Sequence, residues 1–98
     1  MNVVLSGAAE ADLEAIGDWI AQDAPMRAVT FVRELRTACE SLGSAPNAYR
    51  LSPGHERAGI RQRAYGNYLI FYTSGEHVDV LRILEGSRDY EAMLFPKP

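Results

Sequence analysis

Ninety-eight residues with 47% hydrophobic content suffice for one packed domain and are too apolar for a disordered chain. A formal charge of −3 excludes whole-molecule attraction to nucleic acid, and a single cysteine excludes an internal disulfide framework. No run approaches the ~20 apolar residues that span a bilayer, and Ser6 and Glu10 interrupt anything resembling a signal peptide. The expectation is one domain over residues 1–98, in the reducing cytoplasm and away from membranes. The charge is uneven: residues 1–49 hold seven acids and three arginines, residues 50–98 six acids and seven bases.

Asn2 to Leu5 predicts a short edge strand, and Ser6 an N-cap for the helix that follows. From Gly7 to Gln22 the apolar residues Ala9, Leu13, Ile16 and Ile20 recur at helical spacing, while Glu10, Glu14 and Asp18 keep the other face polar. Early acids, Glu10 and Asp12, suit the positive end of the helix dipole. Asp23-Ala24-Pro25 stops this helix and starts the next, with Pro25 at a first helical position. Ala28, Val32, Leu35, Cys39 and Leu42 form the second stripe, widened by Phe31 and Ala38, and the short joint makes the helices antiparallel neighbours. Gly43 is the expected C-cap, and Pro46 prevents continuation. Asn47 to Arg57 reads as a loop with a turn at Ser52-Pro53-Gly54.

Three strand-like runs follow. Ala58 to Ala64 alternates Ile60, Gln62 and Ala64 against Gly59, Arg61 and Arg63; Tyr68 to Tyr72 is continuously apolar, as in a strand buried on both faces; Val78 to Leu84 is the third. Gly66-Asn67 and Ser74-Gly75 offer residues that tolerate positive φ, which predicts two successive hairpins. Ser87 is expected to cap a last helix, Arg88 to Leu94, before Phe95 to Pro98 end the chain without periodicity. The order β-α-α-β-β-β-α gives an α+β domain, a helical hairpin packed on a four-stranded, mostly antiparallel sheet.

No catalytic or metal-ligating set emerges, and no cofactor is expected. Cys39 lies in an apolar stripe and reads as a buried structural thiol. His55 beside Glu56 and His77 beside Glu76 read as polar loop residues, and Trp19, Met26 and Met93 as core or interface contacts. The candidate binding residues are arginines. Arg61 and Arg63 point to one side of their strand, within a basic cluster that includes Arg50 and Arg57, and could hold a partner carboxylate or a phosphate, or form a solvated edge. Arg82 alternates with Leu81 and Ile83, so it is expected on the face opposite both. Arg88 would sit at a helix start, against dipole preference, either for function or paired with Asp89 or Glu85.

The sequence Gly59-Ile60-Arg61, the run Gly66-Asn67-Tyr68-Leu69-Ile70-Phe71-Tyr72, a polar turn, and then Val80-Leu81-Arg82-Ile83-Leu84-Glu85-Gly86-Ser87-Arg88-Asp89 resemble the C-terminal half of the RelE/ParE superfamily of bacterial toxins. With the N-terminal strand, helical hairpin and Pro-containing connection, the resemblance covers nearly the whole chain and is closest to the ParE branch. It implies a toxin of a type II toxin-antitoxin system that poisons DNA gyrase by protein binding. It also implies a cognate antitoxin, of ribbon-helix-helix type, through which alone the toxin meets DNA. Arg61, Arg63, Arg82 and Arg88 are then expected to face antitoxin or target.

The ribonuclease branch, by the same resemblance, carries cations at the positions of Gly59, Arg61, Tyr68 and Arg88 and a tyrosine near Leu94. Only Arg61 and Arg88 match here. Arginine stabilises phosphate charge but is a poor proton carrier near neutral pH, so RNA cleavage lacks its acid-base partners unless His55-Glu56 supply them. A ribosome-dependent messenger RNA endonuclease and a non-toxic complex-forming relative are the alternatives.

Overall fold

Ser6 turns the chain from strand to helix. Its hydroxyl accepts a 3.0 Å hydrogen bond from Ala9 N, which closes the first turn. A computed structural model, which describes residues 1–87 and 89–95, places β1 at Val3–Leu5, α1 at Gly7–Ala21 and α2 at Pro25–Glu40, followed by a 3₁₀ turn at Ser41–Ser44. A second 3₁₀ turn, Glu56–Ala58, precedes β2 (Arg61–Tyr65), β3 (Tyr68–Ser74), β4 (Val78–Glu85) and α3 (Tyr90–Leu94). The sheet order is β1-β4-β3-β2, with β1 parallel to β4 and the other pairs antiparallel. The connection between the two parallel strands runs through the helical hairpin and then β2 and β3.

β3 is buried at three successive residues, Ile70, Phe71 and Tyr72, because both of its faces are covered. Ile70 and Tyr72 join Leu13, Ile16, Leu35, Leu42, Val78, Val80 and Ile83 under the helical hairpin. Phe71 joins Ile60 and Leu84 on the other face, under Tyr90, Met93 and Leu94 of α3. At Gly66-Asn67, Gly66 alone has a positive φ, +57°, the pattern of a type II′ hairpin.

Several sequence expectations are corrected. β2 begins at Arg61 rather than Ala58, because the chain first makes the 3₁₀ turn and leaves it through Gly59 at φ +70°. Gly43 does not cap α2. It lies inside the following 3₁₀ turn, where a side chain would collide with the Met1 backbone, and Gly43 O accepts from the N-terminal ammonium. Gly75 turns without a positive φ, which among the described residues is confined to Gly54, Gly59 and Gly66. Ser87 donates to Glu85 instead of capping a helix, and α3 starts at Tyr90. Arg88, the expected first residue of that helix, lies outside the described residues.

The strand expected at Val78 to Leu84 is present, but the expected facing of Arg82 fails for one local reason. Phe71 faces Arg82 while Tyr72 faces Val80, so Leu81 is an extra, bulged residue. Leu81 therefore packs with the α3-side cluster and Ile83 with the hairpin side, and Arg82 does not oppose both.

Candidate protein-binding surface

Arg61 and Arg63 extend from β2 toward the helical side of the sheet, opposite Tyr72 and Ile70. Both are used inside the chain. Arg61 Nη1 donates to Tyr49 O at 2.7 Å. Arg63 Nη1 donates to Ala38 O at 2.7 Å and to Ser41 Oγ at 2.6 Å, and its guanidinium lies 5.0 Å from the Tyr49 ring centroid. The last turn of α2 has no basic residue, so Arg63 brings a cation from the sheet to the carbonyl end of that helix. Arg63 also lines an open groove of about 450 Å³ between α2 and β2, with Arg33, Thr37 and Tyr65. In that groove Glu34 accepts from Arg27 and from the Tyr65 hydroxyl, and these bonds, Arg27's first, hold its carboxyl below the usual range.

Arg82 is elsewhere. Its Nε and Nη2 each meet an Asp12 oxygen at 2.8 Å, and Nη1 donates to Met93 O at 3.3 Å, so it ties β4 to α1 and α3. Asp12 also accepts from Ile83 N at 2.9 Å. Of the four arginines expected to form a surface, the structure thus brings Arg61 and Arg63 together, sets Arg82 apart as an internal clamp, and does not describe Arg88. Arg50 and Arg57 are exposed near Arg61 in sequence.

The positions where the ribonuclease branch carries its chemistry hold packing residues. Gly59 occupies the left-handed turn before β2, the half-buried Tyr68 ring lies 5.8 Å from Phe31, and Leu94 packs in the α3-side cluster. Burial raises the Tyr68 phenol above its usual range. His55 and Glu56 do not form a pair: His55 Nε2 lies 3.2 Å from Glu91, and Glu56 accepts from Gly54 N. His77 lies 2.9 Å from Asp79. Cys39 is fully buried and its thiol is pushed up to about 11 by that burial, so it holds its proton at neutral pH. No group of His, Cys, Asp and Glu among the described residues is arranged to hold a metal ion, and no described helix is long and apolar enough to cross a membrane.

Trp19, Met26 and Val29 are exposed by 67%, 79% and 54% and so are not core residues. Trp19 stands between two concavities, one toward Met93 and Ile83, the other toward Phe31 and Asn67. It falls outside the Ala9-Leu13-Ile16-Ile20 stripe, a signal that its ring faces outward. The acceptor role of Asp12 has no such signal, because it spans 70 residues of sequence.

Comparison with known proteins bears on what this surface is for. A family model described as ParE toxin of type II toxin-antitoxin system, parDE, matches residues 3–90. The chain is 32% identical over 91 residues to Toxin ParE1 of Caulobacter vibrioides (strain ATCC 19089 / CIP 103742 / CB 15), with 92% of this chain and 94% of that protein covered. A solved structure titled Chromosomal ParDE TA system from P. aeruginosa has the same fold, with a TM-score of 0.73 at 24% identity over 87% of this chain and 95% of that one.

Proposed function

This chain belongs to the ParE toxin family of type II toxin-antitoxin systems, and from that premise we propose that it poisons DNA gyrase by binding and is silenced by a cognate antitoxin. It does so as one domain, in the cytoplasm, without cofactor or bond-breaking chemistry. The observation that carries the non-enzymatic reading is the state of the ribonuclease positions. Gly59 makes a turn, Tyr68 and Leu94 pack, and Arg61 is bonded to Tyr49 O. A binding poison needs none of those groups, only a surface that fits and traps one state of its enzyme target.

The antitoxin, of ribbon-helix-helix type, binds DNA on behalf of the complex. Arg63, with Arg61 beside it, meets an acidic stretch of that partner in the groove between α2 and β2, where Arg33 adds a further cation. Arg82 contributes indirectly, by fixing α1 against β4. Arg88, which lies outside the described residues, belongs to the same proposed antitoxin- or target-facing set.

The test is induction without antitoxin, followed early by primer extension across abundant transcripts and by a supercoiling assay with purified gyrase. Blocked supercoiling with intact messenger RNA is expected. Codon-positioned cuts with gyrase unaffected would establish the ribonuclease alternative, and neither effect from a folded protein would identify a non-toxic complex-forming relative.

A further inference from the structure

β1 stops at Leu5, opposite Val80, and β4 runs on to Glu85 with β3 on one side and, among the described residues, no strand on the other. Over the next stretch, side chains take the place of a strand. The Ser6 hydroxyl donates to Leu81 O at 2.8 Å, and Asp12 accepts from Ile83 N at 2.9 Å. Past Ile83 this substitution ends. Gly86 N donates to Asn67 O on the β3 side, so strand alternation directs Glu85 N–H, Glu85 C=O and Ile83 C=O to the outer side. These groups open into a concavity of about 490 Å³, walled by Ala15 and Trp19 from α1 and by Met93 from α3.

The occupant of such a slot is constrained by chemistry. A helix laid here would desolvate Glu85 N–H without offering it an acceptor, a loss a strand avoids. A second copy of this chain, related by a two-fold axis through this edge, would bring Glu85 close to its own counterpart. The exposed acids Glu14 and Asp18, next to Ala15 and Trp19 in sequence, would add to that repulsion. The slot therefore suits an extended segment with an apolar side chain and a neighbouring cation.

We propose that an extended segment of the antitoxin adds to the outer edge of β4 at Ile83–Glu85, setting an apolar side chain between Trp19 and Met93 and a lysine or arginine against Glu85. This rests on reading the chain as an antitoxin-held toxin. The probe is the purified antitoxin encoded beside this gene. The toxin is labelled with ¹⁵N and 5-fluorotryptophan, which reports Trp19 alone because the chain has one tryptophan. On complex formation the Glu85 amide should exchange at least about tenfold more slowly, and the fluorine resonance should shift. Glu85→Pro removes a donor that β3 does not use, and should weaken binding about tenfold at unchanged far-UV circular dichroism; Glu85→Gln keeps the donor and should cost about threefold. If the proline variant fails to fold, exchange in the wild-type complex still decides. A complex in which Glu85 exchange is unchanged overturns the slot and leaves the toxin-antitoxin reading standing. Absence of any complex overturns both. Protection in the free toxin that disappears on dilution would give the slot to a second copy and overturn the proposal.

Discussion

At the β2 edge of the sheet the chain returns along its own strand: Ser52 N donates to Ile60 O, Gln62 N to Arg50 O, and Leu51 bridges Arg61. The buried Ser52 hydroxyl bonds Gln62, and Arg61 and Arg63 pin residues 38–49 to the same strand. At the far end of β4 the cover among the described residues is two side chains, Ser6 and Asp12, and it stops at Ile83. Open edges invite pairing with other chains, and one edge here is paired with backbone over residues 60–62 while the other stays open beside an exposed tryptophan. The charges differ as well. Arg61 and Arg63 stand on β2 with Arg50 and Arg57 close in sequence, whereas Glu85 stands at the β4 end and Glu14 and Asp18 are exposed next to Ala15 and Trp19 in sequence, so one partner wrapping the domain would need a different sign at each.

The largest expected effect tests the side-chain cover of β4. Asp12→Ala removes both oxygens that face Arg82 and the acceptor of Ile83 N, and leaves a part-buried guanidinium with Met93 O alone. A loss of about 3 kcal/mol in urea unfolding is expected, since breaking one side of a part-buried pair leaves a charge uncompensated. Asp12→Asn, which keeps an acceptor for Ile83 N, should recover part of it. A loss below about 1 kcal/mol would mean that α1 does not hold the β4 edge.

How far this contrast was legible in the sequence depends on the range of each contact. The Ser6 cap, the two helical stripes, the double burial of β3 and the Gly66-Asn67 hairpin are local, and their periods and turn residues announce them. The bulge at Leu81 is invisible because one inserted residue reads as ordinary apolar sequence until its partner strand is known. Alternation puts Arg61 and Arg63 on one side of β2, where they lie, but does not say which layer covers that side. Their carbonyl partners are 12 and 25 residues away, so they read as surface cations when they are half-used structural ones. That Gly59 would be left-handed was hidden by the alternation of Ala58 to Ala64, which continues smoothly through it.

The β2 edge gives the next effect. Arg63→Ala strips the cation and two hydrogen bonds from the end of α2, so a stability loss of about 1.5 kcal/mol is expected, more than an ordinary exposed strand position would show. Arg63→Lys should restore less than half, because the shorter side chain carries no planar guanidinium to lie over Tyr49 while its nitrogen reaches Ala38 O and Ser41 Oγ. Equal stability of Arg63→Ala and wild type in thermal melts would return Arg63 to the role of a free surface cation.

Gly59→Ala probes the turn that delivers residues 50–60 to that edge. At φ +70° an alanine is strained even with open space around its side chain, and a loss of about 1 kcal/mol is expected. Gly75→Ala, at a turn without positive φ and with nothing close to a new side chain, should be nearly silent. Similar losses at both would show that the turn before β2 does not depend on the left-handed conformation.

The smallest effect on stability belongs to Trp19, where the contrast between the edges is sharpest. Its ring is two-thirds exposed, so Trp19→Ser removes little buried area and should change unfolding free energy by less than about 0.5 kcal/mol. The same substitution should weaken antitoxin binding by tenfold or more, because an aromatic anchor covered by a partner carries a large share of interface energy. Surface apolar residues dispersed singly need no explanation, but this one stands between two concavities next to an unpaired strand edge. Calorimetric titration of antitoxin into the wild-type and Trp19→Ser proteins, beside urea unfolding of each alone, separates the two quantities. A variant that loses stability and affinity in proportion would make Trp19 part of the fold. One that loses neither would move the partner's anchor away from the β4 end and toward the arginine-lined groove at α2 and β2.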